Sequence, residues 1–207
     1  MKKGQLFVVS APSGAGKTSL LRALMQTHPS LRFSVSYTTR KQRNSEQHGQ
    51  DYFFIEQEAF LSMVAKGDFL EHAQVFDNYY GTSRQQIEAL ITQGHDVLLE
   101  IDWQGASQVR TKMPECVSIF ILPPSRQALE ERLRARGTDA PEVIARRLRD
   151  AVVDMSHWQE FDYVVVNADF AHAVNDLKLI VTGQGQSLRR DRPALQPLLI
   201  DLLSPTA

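Results

Sequence analysis

Cysteine is nearly absent: the 207 residues contain one, Cys116. No intrachain disulfide can form, so a disulfide-built fold is excluded and burial must hold the chain together. Cys116 precedes an apolar run and is expected to be a buried structural thiol. Net charge is also nearly absent, −1 from 23 Lys and Arg against 24 Asp and Glu. No global field draws such a chain to nucleic acid or to a membrane surface. No apolar run approaches the ~18 residues of a membrane span, and no long apolar stretch follows the two N-terminal lysines. Internal repeats are lacking too. A soluble cytoplasmic protein with small-molecule partners, and neither nucleic acid nor membrane among them, is expected. A homo-oligomer is compatible with the sequence but not specified by it. What is plentiful is apolar residue, 43% of the chain with ten Phe. That is enough for one large domain, or for a core carrying small inserts.

The chain is organised around residues 6–19. Leu6-Phe7-Val8-Val9 reads as a buried strand. Ser10-Ala11-Pro12-Ser13-Gly14-Ala15-Gly16 reads as a tight turn, and Lys17-Thr18 opens a helix with Leu20, Leu21 and Leu24 at helical spacing. Small residues let successive N–H groups converge on one anion, and the helix dipole points the same way. This is a phosphate-binding P-loop, with Lys17 reaching the β- and γ-phosphates and the Thr18 hydroxyl on Mg²⁺. The candidate ATP cradle is Ala11, Pro12, Ser13, Gly14, Ala15, Gly16, Lys17 and Thr18. One position departs from GxxxxGK[ST], since Ala11 stands where the first Gly belongs.

Beyond this loop, apolar runs alternate with helical patterns. Strands are predicted at 33–36, 53–55, 69–76, 97–102, 117–122 and 163–166. Helices are predicted at 17–26, 56–66, 83–92, 104–112, from Ser125, from Pro141 to about Trp158, at 171–181 and in the tail at 195–203. Asn78-Tyr79-Tyr80-Gly81-Thr82 reads as a turn, and Ser83 to Gln86 as a capping box. Asp139 is expected to cap the helix that begins with Pro141. The fold class is α/β: a P-loop NTPase-type parallel sheet flanked by helices, with an inserted module and a helical lid. The core is assigned to 1–33, 93–123 and 160–182, the inserted substrate module to 34–92, the lid and its flanking helices to 124–159, and a tail to 183–207. The polar stretch 37–52 reads on composition as a solvated loop, yet Arg40 and Arg43 beside hydroxyls and Tyr52 could clamp a second phosphate. Val97 to Asp102 ends in two acids, Glu100 and Asp102. End-of-strand acids beside a P-loop often help to hold Mg²⁺, and the residues do not decide between them.

With these segments in place, the chain resembles guanylate kinase over about Gly4 to Val181. The strongest piece is Thr38-Thr39-Arg40-x-x-Arg43-x-x-Glu46-x-x-Gly49-x-x-Tyr52-x-Phe54. Further pieces are the P-loop, Asn78 to Thr82, Ile101-Asp102-Trp103-Gln104-Gly105, Pro123-Pro124-Ser125 and Arg132-x-x-x-Arg136-Gly137. The resemblance implies ATP and GMP as substrates and ADP and GDP as products, with dGMP also accepted. It implies the GMP phosphate at Arg40, Arg43, Tyr52 and Tyr80, and the guanine base at Ser36, Glu71, Thr82 and Asp102. It implies a lid with Arg132, Arg136 and Arg147 facing the ATP phosphates, and Asn167 on the adenine side. Ala at position 11 is common in the family. Two departures are Gln42 and Asn44, where the family often has Pro, so the loop is expected to be less pre-organised. A third is Ala168 within Asn167-Ala168-Asp169, in place of the usual Asn-Asp-Asp.

The implied chemistry is self-consistent. A phosphate monoester has a second pKa of about 6 and is largely dianionic at neutral pH. No general base is needed, and His48, His72 and His157 are read as packing or surface residues. Catalysis must come from cations and positioning, with Lys17, Arg132, Arg136 and Arg147 as the catalytic set. Two other readings compete: a catalytically silent guanylate-kinase-like scaffold that binds phosphopeptides, and a kinase for another phosphorylated sugar or nucleotide. The intact P-loop argues against the first, and the set Ser36, Glu71 and Asp102 against the second.

Overall fold

A computed structural model describes residues 3–75, 77–135 and 140–204. The first strand, β1 (Leu6–Ser10), is buried along its whole length, as its unbroken apolar run requires. It leads to α1 (Lys17–Thr27), which buries Leu20, Leu21 and Leu24. Next come β2 (Leu31–Phe33), β3 (Tyr37–Thr38), β4 (Phe53–Phe54) and α2 (Gln57–Lys66). Phe60 fills the inner face of α2, and the Gly67 N–H closes the helix on the Met63 and Val64 carbonyls. Then follow β5 (Phe69–Val75), β6 (Asn78–Ser83), α3 (Arg84–Thr92), β7 (Asp96–Glu100), α4 (Trp103–Lys112) and β8 (Val117–Leu122). The chain continues through α5 (Arg126–Ala135), α6 (Pro141–Ser156), a 3₁₀ turn (His157–Glu160), β9 (Tyr163–Val166), α7 (Phe170–Val181) and α8 (Gln196–Leu203).

The strands form a five-stranded sheet in the order β2-β7-β1-β8-β9 and a four-stranded sheet in the order β4-β3-β6-β5. The β2–β7 and β8–β9 pairs are parallel, which is the α/β architecture expected of strands alternating with helices. The chain divides into two compact units. One comprises Met1–Val8, Ser30–Leu99 and Gln104–Cys116; the other comprises Val9–Pro29, Glu100–Trp103 and Val117–Ala207.

Within the first unit, two sequence expectations change. Residues 78–82 are not a turn: they form most of β6, paired antiparallel with both β3 and β5. Local turn chemistry loses to a ladder on both edges. Thr38 Oγ1 donates to the Tyr79 carbonyl (3.0 Å), and the Tyr79 N–H donates to Thr39 Oγ1 (2.9 Å). The strand predicted at 33–36 is instead Leu31–Phe33, registered Leu31 to Asp96 through Phe33 to Leu98. Beyond it the Ser34 N–H donates to the Leu98 carbonyl at 3.0 Å.

Within the second unit, Leu129, Leu133, Ile144 and Ala151 form a core between α5 and α6, with Leu148 packed against it. The Ser125 hydroxyl caps α5 by accepting from the Ala128 N–H at 3.0 Å. The proline-led start of α6 is present, but Ala140 stands at the cap and offers no side-chain bond. The expected cap, Asp139, lies outside the described residues, as do Phe76, Arg136, Gly137 and Thr138. Cys116 is buried, 7% exposed, as its apolar context requires.

Candidate nucleotide-binding sites

The turn between β1 and α1 contains two left-handed glycines, Gly14 at φ 92° and Gly16 at φ 90°. Only glycine takes such a φ without strain, and neither position has room for a side chain. A Cβ on Gly14 would lie 2.9 Å from Leu129 Cδ1, and one on Gly16 would lie 2.6 Å from Asn167 Nδ2. The turn lines a cavity of about 360 Å³ with Ala11, Pro12, Ser13, Gly14, Gly16, Lys17, Thr18 and Ser19. Asp154 of α6 closes the lining.

Lys17 reaches past the helix start and donates to the Ile101 carbonyl at 2.9 Å. Burial lowers its pKa, while Glu100, Asp102 and Asp154 pull it back up. Burial raises the pKa of Asp154, and the nearby Asp102 raises it further; the Trp103 side chain and Lys17 oppose the shift. Thr18 Oγ1 donates to Glu100 Oε1 at 2.6 Å. Of the two acids the sequence left open, Glu100 therefore touches Thr18, and Asp102 belongs to the charge set around Lys17 and Asp154. Thr18, Glu100, Asp102 and Asp154 offer oxygen, the ligand atom a hard divalent cation prefers.

Asn167 holds the cradle from the end of β9. Its Nδ2 donates to the Ala15 carbonyl at 2.7 Å, and its own carbonyl accepts from Arg132 Nη2 at 2.8 Å. The other terminal nitrogen, Nη1 of Arg132, is buried with no hydrogen-bond partner among the described residues. A buried guanidinium N–H left in that state is a donor awaiting an acceptor. Arg147 is half-buried on α6.

In the first unit, Arg40 is the centre of a second cluster. It donates to Glu46 Oε1 at 2.7 Å and stacks over Tyr52 and Phe54, 5.6 and 5.7 Å from their ring centres. Its bond to Glu46 raises its pKa. The same bond, with the Arg43 N–H, holds the Glu46 carboxyl below the usual carboxylate range. Tyr52 and Tyr80 meet edge to face at 6.0 Å. Arg43 gives its backbone N–H to Glu46 Oε2 at 2.9 Å, while its side chain is exposed. Gln42, standing where family members often have Pro, donates to the Glu46 carbonyl at 2.6 Å. The loop thus gains by hydrogen bonding a restraint of the kind a proline would have supplied.

Glu71 is 5% exposed on β5. Thr82 Oγ1 donates to its Oε1 at 2.6 Å, and Ser36 Oγ lies 3.5 Å from Thr82 Oγ1. Ser36, Glu71 and Thr82 are therefore brought together; Asp102, the fourth member of that predicted set, is in the other unit. What aligns Glu71 with Thr82 is a bulge. Phe69 pairs with Ser83 and Glu71 with Thr82, so Leu70 is the extra residue. His48 Nδ1 accepts from the Phe54 N–H, the His72 backbone is bonded to Gln108, and His157 stacks on Trp103.

Two of these residues escaped the sequence reading. Glu46 was noticed only as part of a spacing. Asp154 is not among the predicted site residues, although it lies seven residues after Arg147 and so on the same helical face.

A glycine cradle that leads from a buried parallel strand into a helix headed by lysine and threonine defines a P-loop nucleotide-binding protein. The chain belongs to the guanylate kinase family, whose sequence profile matches residues 3–184. It is 55% identical to the guanylate kinase of Alkalilimnicola ehrlichii over 200 residues, covering 97% of this chain and 98% of that one. It is 55% identical to that of Methylococcus capsulatus over 203 residues, covering 98% and 100%. The crystal structure of guanylate kinase from Anaplasma phagocytophilum superposes with a TM-score of 0.68 at 34% identity, covering 100% of this chain and 98% of that one. Among the described residues, no helix is long and apolar enough to cross a membrane.

Proposed function

We propose that this chain transfers the γ-phosphoryl group of ATP to GMP, giving ADP and GDP, that dGMP also serves as acceptor, and that Mg²⁺ is the cation used. Membership of the guanylate kinase family supports the substrate pair. A single cysteine fits a reducing compartment, and we place the activity in the cytoplasm.

Residues 11–18 form the cradle of the ATP phosphates, held by the backbone N–H groups of the loop other than at Pro12, which has none, with Lys17 on the β- and γ-phosphates and Asn167 on the adenine side. Thr18 would hold the cation, with Glu100 or Asp102 beside it; bound there, it neutralises charge that builds on the transferring phosphoryl group. Arg132, Arg136 and Arg147 carry out the same neutralisation from the lid, residues 124–159. The orphaned Nη1 of Arg132 supports this role, since a phosphate oxygen satisfies it. Residues 34–92 form the GMP module. Arg40, Arg43, Tyr52 and Tyr80 take the phosphate, which is already dianionic and needs no base.

The observation that carries the acceptor reading is Glu71. A buried carboxylate aligned by a threonine hydroxyl accepts the N1–H and N2–H of guanine. Adenine presents a lone pair at N1, so that carboxylate would face an acceptor that offers no N–H, and this mismatch is the effective source of discrimination. Ser36, Thr82 and Asp102 complete the base set.

The test is Lys17→Ala. Turnover of GMP is expected to fall about 10³-fold or more, the scale of losing a charged group from a preorganised site. The melting temperature should move little, because burial already disfavours the Lys17 ammonium. Full activity in this variant would contradict the reading.

A further inference from the structure

The residue that reads the base sits at the softest point of its strand. β5 is an edge strand of the four-stranded sheet, and its bulge falls between Phe69 and Glu71. A bulge interrupts the ladder and leaves backbone groups unpaired. A one-residue slip would put Leu70 opposite Thr82 and Glu71 opposite Gly81, turning the carboxylate to the other face. β6 guards one edge of this segment. Something must hold the other.

That hold comes from α4. Gln108 Oε1 accepts from the His72 N–H at 3.2 Å, and its Nε2 donates to the His72 carbonyl at 3.1 Å. One side-chain amide thus imitates a neighbouring strand immediately after Glu71. Lys112, one helical turn on and on the same face, donates from Nζ to the Phe69 carbonyl at 3.0 Å, two residues before Glu71. The bulge is pinned on both sides by one helix. Lys112 is also within electrostatic reach of the site: partial burial and Arg84 lower its pKa, and the Glu71 carboxylate raises it.

We infer that Gln108 and Lys112 are positioning residues for Glu71 and set the preference for guanine through it. This rests on the reading of Glu71 as the base acceptor. Neither side chain needs to touch the nucleotide. Their work is to keep one carboxylate in register with Thr82.

The experiment measures kcat and KM for GMP and for AMP, and KM for ATP, in the full chain carrying Gln108→Ala, Lys112→Met, Lys112→Arg or Glu71→Gln, with melting temperatures alongside. Gln108→Ala and Lys112→Met are expected to lower the GMP-over-AMP ratio of kcat/KM about tenfold, mostly through KM for GMP. KM for ATP should stay within about twofold of the parent. Lys112→Arg keeps a cationic donor and should restore most of the ratio. A lowered melting temperature with an unchanged ratio means a merely structural role and overturns the inference. So does a rise in KM for ATP that matches the rise for GMP. If Glu71→Gln lowers the ratio and the α4 variants do not, the inference fails while the base reading stands. If Glu71→Gln also leaves it unchanged, the base reading fails first and the inference with it.

Discussion

Gly16→Ala tests the nucleotide cradle at its tightest point. The residue sits at φ 90°, where a Cβ costs roughly 1–2 kcal/mol on the backbone alone. The added carbon would lie 2.6 Å from Asn167 Nδ2, too close for Asn167 to keep its 2.7 Å bond to the Ala15 carbonyl. Leaving those buried groups unpaired costs roughly 1–3 kcal/mol. Alanine stiffens the unfolded chain and returns about 0.4–1 kcal/mol. The net loss is about 1–5 kcal/mol, about 3 kcal/mol at the middle of these ranges, where it amounts to roughly 6–12 °C in melting temperature for a chain of this size. Differential scanning calorimetry on the ligand-free protein reads this directly, and KM for ATP should rise because the N–H groups that converge on phosphate are displaced. The steric part separates in a double-mutant cycle. In an Asn167→Ala background the clash has no partner, so Gly16→Ala should cost only its backbone share of about 1–2 kcal/mol, less the same unfolded-state return of about 0.4–1 kcal/mol. An unchanged melting temperature with unchanged KM for ATP would refute the reasoning. Equal costs in both backgrounds would remove Asn167 from it.

Two further outcomes follow from the first unit. Glu46 has a folded-state pKa held below the ordinary carboxylate value by Arg40 and the Arg43 N–H. Its contribution to stability is therefore full above the unfolded value of about 4.3 and is lost as pH falls through the lower folded value. The gap in melting temperature between parent and Glu46→Gln should be open at pH 7 and close as acid passes that window; a gap independent of pH would remove the ion pair as its cause. Glu71→Gln should lower the GMP-over-AMP preference about 10²-fold, the cost of mispairing one buried charged acceptor, read as kcat/KM on the two acceptors.

The parts legible in the sequence were those where local pattern and tertiary demand agree. The run Leu6 to Val9 is buried at every position, so it read as a strand. Ser83 accepts from the Gln86 N–H, as a capping residue should. The other half of that expected box is absent: the Gln86 side chain donates to the Tyr37 hydroxyl instead. β6 was illegible because Asn78, Tyr79, Tyr80 and Gly81 carry turn chemistry, and only pairing on both edges makes them a strand. The bulge at Leu70 was illegible for a related reason. It shows only in the pairing with β6, and the contacts beside it come from α4, neither of which is local to β5. Glu46 could be seen as a position but not as a partner, since its role depends on a loop folding back onto Arg40. Asp154 had a signal, its seven-residue offset from Arg147, but nothing in the sequence says which face of α6 meets the P-loop cavity.

The central claim, that ATP's γ-phosphoryl group goes to a guanine acceptor chosen by a buried carboxylate, is tested most directly by one coupled ADP-release assay on the unmodified chain. GMP, dGMP, AMP, UMP and CMP are supplied in turn with ATP and Mg²⁺. ADP release is expected with GMP and dGMP and at background with the other three. Comparable release with AMP would contradict the role given to Glu71, and no release with any of the five would contradict the kinase itself.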